Sequence, residues 1–254
     1  MIGLIAAMPQ ESGALLRQLL IWEVSRLGPF PGFRFRLGEQ DCLLVESGVG
    51  LERAGRATHA LLAEGPEMLI SFGVAGAVQA GLRIGDVVVA RHTCQLEQGT
   101  VSPMVGLTDL SDEARRAAAQ ALQANAARAT PGAHLADGVA VTTRGEQAIL
   151  TRPVELENPV LEMETYAIAT AAAQAGIPLL VLRGISDNPQ EPIPFDPAEV
   201  LDGEYQVKLG KLLGALLRRP HILPELRRFR RNTTLAAENA AAAVIAVMAA
   251  MQSQ

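Results

Sequence analysis

Apolar and polar positions along this chain fall into blocks whose lengths and periods change from segment to segment. Met1 to Met8 is a short apolar run with one glycine, and Pro9-Gln10-Glu11-Ser12 breaks it before Leu15, Leu16 and Leu19 recur at helical spacing. A buried strand over 2–7 followed by a helix over 11–20 is the expected reading. Further strands are expected near 33–37, 41–46, 67–72, 86–91, 138–143 and 177–182, and further helices near 51–64, 111–128 and 165–175. Gly28 to Gly32 suits a hairpin turn and Gly99 to Thr108 a loop. Strands alternating with helices imply an α/β, single-domain, three-layer fold in which a largely parallel mixed central sheet is flanked by helices. Beyond residue 200, Asp202 to Leu217 and Leu226 to Met251 read as two helices separated by Pro220 and Pro224. The chain is therefore divided into a main domain, 1–200, and a helical extension, 201–254, packed on or beside it.

Charge at the ends of the buried runs is the feature that bears on function. Leu161-Glu162-Met163-Glu164 precedes an alanine-rich helix that ends at Gly176, and the strand after it closes on Arg183-Gly184-Ile185-Ser186-Asp187. An ionised group beside an apolar core is costly unless paired or used, and in parallel sheets ligands bind beyond the carboxyl ends of the strands. Glu11, Glu164 and Asp187 are thus expected to face one crevice. Each also has a purely structural reading: acids favoured in the first turn of a helix, or, for Asp187, a cap or turn residue. The glycine-rich Gly73-Val74-Ala75-Gly76-Ala77 follows a strand and would let a ligand approach the backbone, although it is not the GxGxxG dinucleotide fingerprint.

Taken in order, Ala7-Met8-x-x-Glu11, Glu46-Ser47-Gly48-Val49-Gly50, Ser71 to Ala77, Arg83-Ile84-Gly85-Asp86-Val87-Val88, Glu162-Met163-Glu164 and Arg183 to Asp187 resemble the nucleoside phosphorylase type I superfamily. The chain looks most like its hydrolase branch, the 5'-methylthioadenosine/S-adenosylhomocysteine nucleosidases, over roughly residues 1–195. The resemblance implies a purine nucleosidase that cuts the N-glycosidic bond of a 5'-modified adenosine and releases adenine. It implies Glu11 as the carboxylate activating water, Asp187 as donor to the purine N7 and Arg183 as the group orienting the carboxylates. Met163 and Glu164 would hold the ribose, with Val74, Ala75, Gly76, Glu162 and Ser186 also on the substrate. No cofactor and no metal are implied, and relatives of this kind are commonly homodimers. The phosphorolytic branch carries a Gly-Asp-Pro-x-Arg loop where this chain has Met8-Pro9-Gln10-Glu11, so no arginine stands there to clamp phosphate, which favours water. Val74 replaces the serine of the nucleosidases, and Thr142-Thr143-Arg144-Gly145-Glu146 holds no counterpart to their base-stacking aromatic.

The C-terminal stretch departs further. Arg218, Arg219, Arg227, Arg228, Arg230 and Arg231 cluster before an alanine-rich end, similar to hopanoid-associated members thought to cleave adenosylhopane. A basic helix suits peripheral contact with an anionic membrane, and equally a solvated face over a packed cap. Alternatives for the chain are that lipid-nucleoside activity, a futalosine-type hydrolase, a phosphorylase, or a non-catalytic nucleoside-binding protein; the three acids kept together favour catalysis over binding alone.

Composition narrows the partners. The 254 residues carry a net charge of -5, 49% hydrophobic and 19% charged positions, enough for one sizeable core and contrary to a nucleic-acid partner. Cys42 and Cys94 lack metal spacing and fit a reducing, cytoplasmic setting as small buried hydrophobes. His59, His92, His134 and His221 show no ligand spacing. No apolar leader follows a basic start, and Glu238 and Asn239 interrupt the apolar end, so a packed helix is expected there rather than a membrane span.

Overall fold

A computed structural model describes residues 1–97, 99–129, 132–143, 156–193 and 223–252. The first apolar run forms β1 (Ile2–Ala6), buried along its whole length, and Pro9 opens α1 (Pro9–Leu16). There follow β2 (Glu23–Leu27), β3 (Phe30–Leu37), β4 (Gln40–Glu46), α2 (Leu51–Leu62), β5 (Met68–Ala77), β6 (Val87–Glu97), β7 (Thr100–Val101), β8 (Val105–Gly106), α3 (Asp112–Ala129), β9 (Leu135–Thr142), β10 (Pro159–Glu162), α4 (Thr165–Ala175), β11 (Leu179–Asp187) and α5 (Leu223–Met251).

The strands make one 11-stranded mixed sheet in the order β10-β9-β6-β11-β5-β1-β4-β3-β2, with β7 and β8 attached to β6. Pairings of β1 with β4 and β5, of β5 with β11, and of β9 with β6 and β10 are parallel; β2, β3 and β4 are joined antiparallel, as are β6 and β11. β10 also pairs antiparallel with β5, through Val160 with Ala77 and Leu161 with Gly76. The sheet therefore closes on itself through β5, β11, β6, β9 and β10. Closure needs long strands, which explains three extensions beyond the expected ends. β5 runs on through its glycines to Ala77 between β10 and β11, β6 reaches Glu97 along β9 and then β7, and β11 follows β5 to Asp187.

The short strands differ from expectation for local reasons. β2 is an exposed edge strand of mixed polarity, and β7 and β8 occupy what reads as a loop. α1 stops at Leu16, where Arg17 and Gln18 close the last turn onto Gly13 and Leu15, rather than reaching residue 20. Leu20 and Ile21 beyond it stand in solvent.

Two helical layers sandwich the sheet. α1, α3 and α5 share one core with Leu4, Leu44, Ile70, Phe72, Leu180 and Leu182, while α2 and α4 cover Ile5, Leu43, Leu69 and Val181 on the opposite face. An 18-residue window of α5 reaches a mean hydropathy of 1.6, so by length and composition the helix could cross a membrane, contrary to the expectation that no stretch would. Its apolar face is instead occupied: Ala237, Ala241, Ala243, Val244, Val247 and Met248 are buried in the same core. The helix thus packs against the sheet as an integral layer, while the 200/201 boundary and the expected helix from Asp202 to Leu217 lie outside the described residues. Small side chains let α5 come close enough to β11 that a Cβ on Gly184 would fall within 3.0 Å of the Ala236 backbone. Gly184→Ala is accordingly expected to lower the urea unfolding midpoint by an amount equivalent to about 1–3 kcal/mol, as overpacking does, without a change in slope. A midpoint equal to that of the natural protein would show that the two backbones do not meet there.

Candidate active site

The carboxyl ends of β1, β5, β10 and β11 bring the acids together. Glu11 sits at the third position of α1, where a carboxylate can reach back to the open amides of the helix start. Its Oε2 accepts from the amides of Ala7 and Met8, both at 2.9 Å, and its Oε1 from the Val74 amide at 2.8 Å. The side chain is 3% exposed, and burial raises its pKa against the opposing pull of these amides and of Arg183. Space for it comes from Gly73, since a Cβ there would lie within 3.0 Å of the carboxylate.

Arg183, on β11, is buried beside it. Its Nη2 donates to Ser71 Oγ at 2.9 Å, to Thr165 Oγ1 at 2.8 Å and to Glu162 Oε2 at 3.3 Å, while its Nε has no partner. Glu162 spends its carboxylate internally: Oε2 also accepts from the amides of Glu164 (3.0 Å) and Thr165 (2.7 Å) and from the Thr165 hydroxyl (2.7 Å), and Oε1 accepts from Thr142 Oγ1. Every contact of this acid is a structural one.

Glu164 occupies the N-cap position of α4, before Thr165, but its side chain makes no capping bond to that helix. Its Oε1 accepts from the Gly50 amide at 2.8 Å, which ties it to the start of α2. Burial first, then the charges of Glu162 and Glu11, push its pKa up to about 8. Glu11, Glu164, Arg183, Ser71, Gly73 and Val74 line a small space of about 10 Å³, roughly what one water molecule needs. Beside it an open cleft of about 650 Å³ is lined by Gly50, Leu51, Met163, Tyr166, Gln95 and Thr143, among others. Met163 and Glu164, adjacent in sequence, thus face different compartments.

Asp187 ends β11 after an irregularity between Ile185 and Asp187. Ser186 Oγ donates to its Oδ1 at 2.7 Å, and burial raises its pKa against that bond. Gly76 makes room for it as Gly73 does for Glu11, for a Cβ there would again lie within 3.0 Å of the carboxylate. The two carboxylates are thus seated three residues apart along β5, about 10 Å by strand rise.

Of the residues singled out in the sequence, Glu11, Val74, Glu164 and Arg183 share the small space and Met163 lines the cleft. Asp187 stands further along the same strands. Ala75 turns into a cluster with Leu82, Val88, Val160 and Ile185, and Ser186 and Glu162 act on other protein groups. Sequence reasoning gave no role to Ser71, Thr142, Thr165 or the Gly50 amide, although Gly50 and Ser71 lie within the motifs that carry the resemblance and Thr165 directly follows the Glu-Met-Glu run. Arg144 to Glu146 lie outside the described residues. Among those described, no group of three or more His, Cys, Asp or Glu side chains could hold a metal, and Cys42 and Cys94 are buried and unpaired.

The raised pKa of Glu164 has a definite sign in stability. Between its ordinary value of 4.5 and about 8, the folded carboxyl keeps a proton that the unfolded chain has released, so its contribution to stability falls as pH rises through that window. Glu164→Gln removes this dependence. The urea midpoint of the variant should gain on that of the natural protein between pH 5 and pH 8, and a constant difference would show that Glu164 is ionised throughout.

Against known proteins, the family model described as the phosphorylase superfamily matches residues 1–218. The 5'-methylthioadenosine/S-adenosylhomocysteine nucleosidase of Actinobacillus succinogenes is 28% identical over 196 residues, 73% of this chain and 85% of the relative. Among solved structures, the corresponding nucleosidase of Colwellia psychrerythraea, in complex with adenine, superposes with a TM-score of 0.68 at 19% identity, covering 98% of this chain and 94% of the other. The futalosine hydrolase of Helicobacter pylori does so with a TM-score of 0.68 at 17% identity, covering 98% and 97%.

Proposed function

The chain belongs to the phosphorylase superfamily, and we propose that within it this protein is a purine nucleosidase, hydrolysing the N-glycosidic bond of a 5'-modified adenosine to release adenine. The observation that carries this reading is the one-water space shared by Glu11, Glu164 and Arg183. Water held there attacks the anomeric carbon, and Glu11 takes its proton. The bond to the base breaks with its electron pair going to the purine, whose N7 is protonated by Asp187, and the products are free adenine and the free pentose. Raised pKa values suit both acids, since Asp187 must hold a proton near neutral pH to give it up. Glu164 and Met163 hold the ribose hydroxyls and face of the sugar. Water is preferred to phosphate because, among the described residues, Arg183 is the only cation lining the space and it is engaged by Ser71, Thr165 and Glu162.

The 650 Å³ cleft is within the range of small-molecule sites, and its Leu51, Met163 and Tyr166 suit an apolar 5' substituent such as methylthio. Its openness also accommodates a bulkier group, as in futalosine or a lipid nucleoside, and a substrate panel separates these. We read the enzyme as a cytoplasmic homodimer on the strength of the sequence resemblance. Exposed Arg227, Arg230 and Arg231 at the start of α5 support at most an electrostatic contact with an anionic membrane, because the apolar face of that helix is committed to the core.

With a panel of purine nucleosides, base release is expected to be independent of added phosphate and to yield free pentose; sugar 1-phosphate as the main product would overturn the reading. Asp187→Asn should cut turnover by about a hundredfold or more with the fold intact. Glu11→Gln should lower the catalytic rate while preserving binding of a substrate analogue, whereas Glu164→Gln should weaken binding as well. Equal loss of affinity in both variants, with fast single-turnover chemistry in Glu11→Gln, would remove Glu11 from the role of base.

A further inference from the structure

The Arg183 guanidinium is held in an unusual way. Its Nε has no partner and its Nη1 makes only a 3.4 Å bond to the carbonyl of the preceding Leu182, so Nη2 carries nearly all of its anchoring. At Nη2 the two hydroxyl bonds, 2.8 Å to Thr165 and 2.9 Å to Ser71, are shorter than the 3.3 Å contact to Glu162. The ion pair is thus the loosest of the three contacts. Thr165 is fully buried, and its hydroxyl accepts from Arg183 while donating to Glu162 Oε2 at 2.7 Å. It stands as a relay between the cation and its counter-ion and holds them slightly apart.

We propose that Thr165 is a positioning residue whose hydroxyl keeps the Arg183 guanidinium from collapsing onto Glu162, so that its charge remains available to Glu11 and Glu164. Without that hydroxyl, Arg183 and Glu162 close on one another and the cation is withdrawn from the other two acids. The charged groups facing Glu11 are Arg183 from β11 and Glu164 from the start of α4; Glu162 at the end of β10 acts through Arg183, while the neighbouring ends of β1 and β5 present the amides of Ala7 and Val74. Thr165 touches neither the one-water space nor the cleft, so its effect on the reaction is indirect.

This inference rests on the proposed hydrolysis for its kinetic readout, and a second readout is independent of it. In Thr165→Val, and in Thr165→Ala should the valine variant fold poorly, the acid limb of the kcat profile should move to higher pH by about one unit, the size expected when a unit charge recedes by a few ångströms at an effective dielectric near 20. KM should stay within about twofold and Thr165→Ser should restore the natural profile. Without any substrate, the amide resonance of Val74, which donates to Glu11, should titrate with the same upward displacement in Val and Ala and not in Ser. If the natural protein hydrolyses no nucleoside but the Val74 titration moves, the positioning role stands and the hydrolase reading fails. If the folded Val or Ala variant leaves the Val74 titration unmoved or moves it down, or if Ser moves it as far, Thr165 does not position Arg183.

Discussion

Charge is buried at the centre of this fold, and most of what surrounds it follows from that. Removing Arg183 and Glu162 from water costs several kcal/mol per ion, and their mutual contact at 3.3 Å is too long to offset it alone. The remainder comes from groups that cannot leave: amides fixed by the start of α4, and hydroxyls of Thr142, Thr165 and Ser71 on three separate elements. The donors and acceptors come from separate strands and from the start of one helix, so the ion pair can exist only when β5, β9, β10, β11 and α4 have all assembled. Closure of the sheet through β10 and β5 is what brings those ends around one point.

The acids that remain after this pairing are the ones available for chemistry. Glu162 and Glu164 are two residues apart, yet one is saturated by protein groups and the other, held among the described residues by the amides of Gly50 and Met163 alone, lines the small space. Glu11 and Asp187 are seated by glycines rather than by partners of opposite charge. Gly73 and Gly76 are empty where a methyl group would stand, and a carboxylate fills each gap. Burial without a full complement of opposite charge keeps the pKa values of Glu11, Glu164 and Asp187 above their ordinary range. An acid that shares a proton readily is the result.

Much of this was legible in the sequence, and the failures have physical causes. β1, β4 and the first halves of β5 and β11 are continuous apolar runs, and local pattern suffices to place them. The second halves are not, because glycine in Gly73 to Ala77 and the polar Arg183 to Asp187 read as strand ends; only pairing with strands distant in sequence keeps them extended. The same glycines suggested close approach of a ligand to the backbone, whereas the structure fills them with the protein's own carboxylates. Leu19 and Leu20 prolonged the first helix on paper, but Leu20 finds no core to enter. No spacing rule could separate Glu162 from Glu164, since the difference between them lies in Thr142 and Arg183, each about twenty residues away.

The close crossing of α5 over β11 bears on how the chain is made. α5 is synthesised after every strand and helix that it covers, so a nascent chain presents Leu180, Leu182, Ile70 and Phe72 without their lid until the helix arrives. A long apolar segment emerging at that stage meets two competing destinations, the groove waiting on the sheet and the surfaces of chaperones or membranes that recognise such segments. Gly184 leaves the groove open to a backbone-to-backbone approach at Ala236 that a side chain there would block. A single glycine of β11 thereby bears on the last packing event of the chain, the seating of α5.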